Sequence, residues 1–330
     1  MSLAVDLATA DASAAVAALA AGDLGSQELL DAQLARIEAH NPTLNAVVAL
    51  DVDRARLRCR EADEATARGE SWGPLHGLPI TIKDSFETEG LLTTSGAPEL
   101  ADHVPERDAD AVAMLKRAGA IVFAKTNLPL YAGDIQTFNE VYGLTRNPSD
   151  PERTVGGSSG GAAAALAAGF TLLELGSDIG GSIRCPAHYC GVTGLKPSWW
   201  VISKRGHIPG APGERRVGDL SVAGPMGRSV ADLELGMDVL SADGVQGVPG
   251  ARLPDAAPHL ADVADCRFAL WIDDADAPIA ASVREALAGL GAQLEGAGAR
   301  VEADRRPATP MREWFALYYE LLSATMARRM

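Results

Sequence analysis

Apolar residues recur at helical spacing over Asp11–Ala21 and Ser26–His40, and the second stretch opens on Ser26, a residue suited to an N-cap. Short apolar runs at Ala46–Leu50 and Pro79–Ile82 read as strands. Between them Asp51–Arg68 carries charges at i,i+4 spacing along a helix face. Asp108–Ala118 is amphipathic and stops at Gly119, and Ile121–Ala124 follows as a strand. Thr154–Leu195 is rich in Gly and Ala, with a polyalanine helix at Gly161–Ala168 and a strand at Thr171–Leu175. A further amphipathic helix spans Ser229–Leu240. Asp243–Asp265 has no clear period and reads as a long surface connection. Phe268–Ile272 and Arg300–Glu302 read as strands, Ser282–Leu294 and Met311–Arg328 as helices, and no internal repeat is present. Alternating helices and short apolar strands predict an α/β domain.

Composition narrows the function classes. The 330 residues are 47% hydrophobic and 22% charged, which is globular and excludes wholesale disorder. A net charge of −15 repels phosphate backbones, so a nucleic-acid groove would need a local basic patch. The dense basic runs, Arg54–Arg60 and Arg215–Arg216, read as solvated faces. No nucleic-acid partner is expected. The N-terminus lacks a basic n-region, and Asp6 and Asp11 interrupt its apolar residues, unlike a signal peptide. The longest apolar stretch, Gly160–Leu173, is short and mostly Ala and Gly, so it reads as a buried helix and no membrane partner is expected. A soluble, cytoplasmic protein follows. Cys59, Cys185, Cys190 and Cys266 are scattered without a disulfide framework.

Two Gly–Ser clusters carry the chemistry: Gly156-Gly157-Ser158-Ser159-Gly160-Gly161 and Gly176-Ser177-Asp178-Ile179-Gly180-Gly181-Ser182. Neither ends in the Gly-Lys-Ser/Thr of a phosphate loop, and neither fits a dinucleotide fingerprint. Gly156–Gly160 matches an esterase elbow, but that elbow needs a strand running into it, and Asn147–Arg153 reads as a loop. Ser182 follows Ile179-Gly180-Gly181 after an apolar run, where several backbone N–H groups can converge on a developing oxyanion. The base can be a lysine if burial disfavours its ammonium form. Lys83 ends the largely apolar run His76–Ile82 and can point inward from a strand end, whereas Lys116 and Lys204 sit in polar surroundings.

These segments resemble the amidase-signature family. Its core block, Gly-Gly-Ser-Ser-Gly-Gly followed by Gly-x-Asp-x-Gly-Gly-Ser-x-Arg, is matched from Gly156 to Arg184. Gly77–Asp84 is similar to the family's lysine motif, and Ala124–Asn127 and Cys190–Pro197 are similar to two further blocks. The resemblance runs in order over roughly residues 10 to 245. It implies an α/β fold with one large mixed sheet flanked by helices, in a single domain over residues 1–330 whose catalytic block is 70–245. It implies catalysis by Ser182 as nucleophile, Ser158 as proton bridge across a cis peptide, and Lys83 as base. The N–H groups of Ile179, Gly180, Gly181 and Ser182 would form the oxyanion hole. Ser159, Asp178 and Arg184 would support it, the last two by a charge-assisted contact.

Blander readings stand beside these. Ser158 and Ser159 could cap the polyalanine helix, Lys83 could snorkel to the surface, and Asp178 with Arg184 could be purely structural. Cys185, His188 and Cys190 lack a fourth ligand and a common zinc spacing, so no metal and no cofactor are expected. Lys125 and Lys196 should pair with carboxylates or carbonyls around the core. Trp199 and Trp200, where relatives carry a different sequence, could line an acyl pocket or pack in the core. Family members usually continue further, so a C-terminal portion is expected to be missing. The expected function is a stand-alone amidase acting on a small-molecule amide, with a homodimer open. The alternatives are a catalytically silent relative and the glutamine-hydrolysing subunit of an aminoacyl-tRNA amidotransferase, whose usual sequence Leu128–Ala132 does not resemble.

Overall fold

The computed structural model describes residues 10–209, 212–214, 218–241, 262–303 and 305–327. It divides into two units, Met1–Arg252 and Leu253–Met330. The first unit begins α1 (Ala12–Ala21), α2 (Ser26–Leu44), β1 (Val47–Leu50), α3 (Val52–Ala67), β2 (Pro79–Lys83), α4 (Asp110–Arg117) and β3 (Ile121–Thr126). A small hairpin, β4 (Phe138–Asn139) and β5 (Gly143–Leu144), leads to α5 (Gly160–Ala167) and β6 (Glu174–Asp178). Then come α6 (Arg184–Cys190), β7 (Thr193–Gly194), β8 (Val222–Gly227) and α7 (Val230–Leu240).

Six of these strands form one mixed sheet in the order β1-β3-β2-β6-β8-β7. Strands β3, β2 and β6 run parallel, and β1 and β8 pair antiparallel to their neighbours. Helices flank this sheet, so the expected fold class holds. Successive strand residues face opposite sides. Ile80 and Ile82 of β2 therefore join Leu78, Val122 and Leu175 in one apolar cluster. Ile121 and Phe123 of β3 join Ala162–Ala165 and Leu30 in another. Thr81 and Lys83 face the side on which α5 lies. Each fully buried Leu or Ile contributes about 1.5–3 kcal/mol, and the two clusters hold the sheet from both faces.

Helix α5 is small-residued because it has no room to be otherwise. A Cβ on Gly161 would stand 2.4 Å from both the N and O of Asn127, and the Gly161 N–H donates to that same carbonyl at 3.1 Å. The close approach brings Ser158 and Ser159 down to the strand ends.

Three local readings need correction. Ser26 is not the N-cap of α2: its hydroxyl donates to the Gly77 carbonyl at 2.7 Å, and the Asp63 carboxylate accepts from the N–H groups of Ser26 and Gln27. The strand expected at Thr171–Leu175 lies at Glu174–Asp178, because its antiparallel partner β8 pairs with those residues. That partner, Val-Ala-Gly-Pro-Met-Gly, was not anticipated, since Gly224 and Pro225 argue against a strand.

In the second unit, strands β9 (Arg267–Leu270) and β10 (Arg300–Ala303) pair in parallel across α8 (Ala281–Gly296), and α9 (Met311–Ala327) follows. Most of the connection read at Asp243–Asp265, and the basic pair Arg215–Arg216, lie outside the described residues. No helix among the described residues is long and apolar enough to cross a membrane.

Candidate active site

Because β2 and β6 are parallel neighbours, their C-terminal ends open on the same edge of the sheet. Lys83 is the last residue of β2 and Asp178 the last of β6. The segment Gly156–Ser159 reaches that edge at the start of α5. There the Lys83 Nζ lies 2.7 Å from Ser158 Oγ, 3.0 Å from Ser159 Oγ and 3.0 Å from Ser177 Oγ. The Ser159 N–H donates to the Ser182 carbonyl at 3.0 Å, which ties the loop that carries Ser182 to the same segment. The Gly157–Ser158 peptide is cis. Only glycine fits at 157, since a Cβ would stand 2.8 Å from backbone atoms of Asp134 and Ile135.

Burial grades along this group. Lys83 and Ser159 are wholly buried, Ser158 is 1% exposed and Ser182 is 8% exposed, so Ser182 stands nearest the solvent. Lys83 does not snorkel. Burial pushes its ammonium down to about 7, against the opposing pull of Asp178 and Glu174. Its amine is held by three hydroxyls, each able to donate or accept. An amine neutral near pH 7 and bonded to a hydroxyl can accept that hydroxyl's proton.

Neither serine serves as a side-chain helix cap. Ser159 occupies the N-cap position of α5 without a capping side-chain bond; its hydroxyl donates instead to the Ser177 carbonyl at 3.3 Å. Asp178 organises the loop around Ser182. It accepts from Gly181 N–H (2.9 Å), Ile183 N–H (3.0 Å) and the Arg184 guanidinium (2.9 and 3.1 Å). Burial pushes its carboxyl up, but Arg184 and the backbone donors outweigh that and hold it below the ordinary carboxylate range. One expectation changes here. The Gly181 N–H, expected at an oxyanion, is given to Asp178.

Two features were not singled out from the chain. Ser177 completes the hydroxyl ring around Lys83; its place inside a Gly–Ser cluster was the available signal. Glu174 lies buried on the sheet, accepting from Thr81 Oγ1 at 2.9 Å and Thr126 Oγ1 at 2.7 Å. Lys125 and Lys196 find the carbonyls expected of them, at Phe86 and Pro197. Lys204, read in polar surroundings, is buried and donates to Ser221 Oγ. Trp199 and Trp200 pack edge-on with ring centres 5.3 Å apart and stay 37% and 51% exposed, so they do not fill the core. Among the described residues no three His, Cys, Asp or Glu side chains form a group that could hold a metal ion.

The family model described as Amidase matches residues 28–330. The chain belongs to the amidase family. Among amidase-family relatives, a glutamyl-tRNA(Gln) amidotransferase subunit of Chloroflexus aurantiacus is 46% identical over 228 residues, 69% of this chain and 46% of that protein. The corresponding subunit from Carboxydothermus hydrogenoformans is 38% identical, over 83% of this chain and 58% of that protein. The chain thus spans about half the length of the curated relatives it matches. Among solved structures, fatty acid amide hydrolase superposes with a TM-score of 0.85 at 29% identity, over 96% of this chain and 56% of that chain.

These relatives overturn two expectations. A stand-alone amidase was expected, and the curated relatives are named as one subunit of an amidotransferase. A partner list without nucleic acid was expected, and those relatives are named for glutamyl-tRNA(Gln). A net charge of −15 reports the average of a surface and does not by itself exclude a local contact with nucleic acid.

Proposed function

We propose that this chain hydrolyses a carboxamide through an acyl-enzyme, with Ser182 as nucleophile, Ser158 as proton bridge and neutral Lys83 as base. Ser182 Oγ bonds to the amide carbon while its proton passes to Ser158 Oγ and the Ser158 proton passes to Lys83 Nζ. The N–H groups of Ile179, Gly180 and Ser182 receive the oxyanion. The ammonium then returns its proton through Ser158 to the leaving nitrogen, and the C–N bond breaks. Water cleaves the ester by the same relay. The single observation that carries this reading is the 2.7 Å contact of a wholly buried Lys83 amine with Ser158, beside a loop hydrogen-bonded to that same segment. Asp178 and Arg184 hold the loop, and Ser159 and Ser177 hold the amine.

We propose that the amide is that of glutamine and that the ammonia serves an amidotransferase acting on glutamyl-tRNA(Gln), with this chain as one subunit of the assembly in the cytoplasm. Support comes from the shared name of the curated relatives and from identity reaching 46% over 228 residues.

Ammonia release from glutamine, measured with and without partner subunits, tests this. Release that depends on the partners and is abolished by Ser182→Ala is expected. Glutamine left intact in the full assembly would reject the subunit role, and an unimpaired Ser182→Ala variant would reject the nucleophile.

A further inference from the structure

We infer that Glu174 is a positioning residue for Lys83, a buried carboxyl held by Thr81 and Thr126 on the lysine's own face of the sheet, which sets how readily that amine takes up a proton. The inference rests on the proposed role of Lys83 as base, and it adds a group that the proton relay does not itself use.

The placement comes from strand register. Thr81 pairs with Glu174 across β2 and β6, and Lys83 pairs with Thr126 across β2 and β3. Residues 81 and 83 share one face of β2, so Glu174 and Lys83 occupy diagonal positions on that face, within reach of each other's charge. Glu174 is 2% exposed. Both threonine hydroxyls donate to Oε1, one from each of two strands, and Oε2 has no hydrogen-bond partner among the described residues. A group so costly to bury is tolerated where its charge answers another.

Lys83, Asp84, Lys125, Glu174 and Asp178 are ionisable side chains among the described residues that lie buried here. Asp178 is bonded to Arg184, and Asp84 stands 3.9 Å from Lys125, which also feels Glu174, Lys116 and Asp108. Among the described residues, the side chains that hydrogen-bond Lys83 and Glu174 are all hydroxyls. Lys83 feels both Asp178 and Glu174, and Glu174 also feels Lys125, so Glu174 is one of two buried carboxyls that act on the amine. Burial moves Lys83 and Glu174 toward each other, Lys83 down to about 7 and Glu174 up to about 7. A purely structural Glu174, stitching three strands through two hydroxyls, would leave the titration of Lys83 unmoved by loss of its charge.

The test reads Ser182 reactivity without the natural substrate. The rate of Ser182 labelling by a fluorophosphonate is measured against pH in the full chain and in Glu174→Gln. Removing the carboxylate lowers the proton affinity of Lys83, so the acid limb of the variant is expected to move at least about half a unit to lower pH, a relative rate about threefold higher there. A limb that stays in place, whatever happens to the plateau, overturns the inference. Should Glu174→Gln not fold, a carbon-13 titration of Lys83 Cε and Glu174 Cδ in the unaltered protein decides. Coupled steps over one interval support the inference, and a Glu174 that titrates below about pH 5 overturns it. A wild type unlabelled at every pH would reject Ser182 as nucleophile, and the carbon titration would then judge the Glu174–Lys83 coupling alone.

Discussion

Lys83 and Lys125 sit on adjacent strands, both wholly buried, yet their surroundings differ in kind. Lys125 donates to the Phe86 carbonyl and to Thr88 and Thr93 hydroxyls, with Asp84 at 3.9 Å. A carbonyl only accepts and a carboxylate favours a cation, so this nest suits an ammonium that holds the β2–β3 edge together. Lys83 is ringed by Ser158, Ser159 and Ser177, hydroxyls that can give as well as take. Burial lowers both, to about 8 and about 7. Desolvation alone therefore does not mark the proposed base. The partners do.

The sharpest test of that contrast is paired substitution. Lys83→Met is expected to cut turnover by about a thousandfold or more while leaving a folded protein. Lys125→Met strands Asp84 in the core and is expected to cost about 3 kcal/mol in urea unfolding, with kcat of the folded fraction within about tenfold. Equal loss of kcat in both would erase the distinction. Ser158→Ala, which interrupts the bridge, should lower kcat by about a hundredfold to a thousandfold, measured as ammonia release.

A smaller effect comes from pH. In the proposed relay the neutral amine is the reactive form, so kcat/KM should rise about tenfold per unit below pH 7 and level off above it, following Lys83 at about 7. A profile flat from pH 5 to 8, taken in buffers of matched ionic strength, would sink the lysine as base. The smallest difference is between single hydroxyls. Ser177→Ala should slow turnover by about fivefold at little loss of stability, whereas Thr93→Ala beside Lys125 should cost about 1 kcal/mol of stability and spare turnover.

Much of this was legible along the chain. The helices over Asp11–Ala21 and Ser229–Leu240 lie close to where periodicity put them, since amphipathic spacing is a local signal. Lys83, Ser158 and Ser182 stood out because Gly-rich turns flank the serines and an apolar run ends at the lysine. Strand β8 was hidden by Gly224 and Pro225, and β6 was displaced with it, because pairing partners far apart in sequence decide such strands. Ser26 looked like a cap by its residue type, but Asp63, 37 residues away, took that task.

By itself, then, the order of residues determined the α/β class, the candidate nucleophile, bridge and base, and membership of a family through several blocks agreeing at once. It could not determine which N–H serves which oxygen, as Gly181 shows by turning to Asp178. Nor could it place Ser177 against Lys83, or Glu174 on that lysine's face of the sheet. Those relations exist only after strand register and loop closure have been set. A hydrogen bond is won or lost within a few tenths of an ångström, and such distances belong to the folded chain.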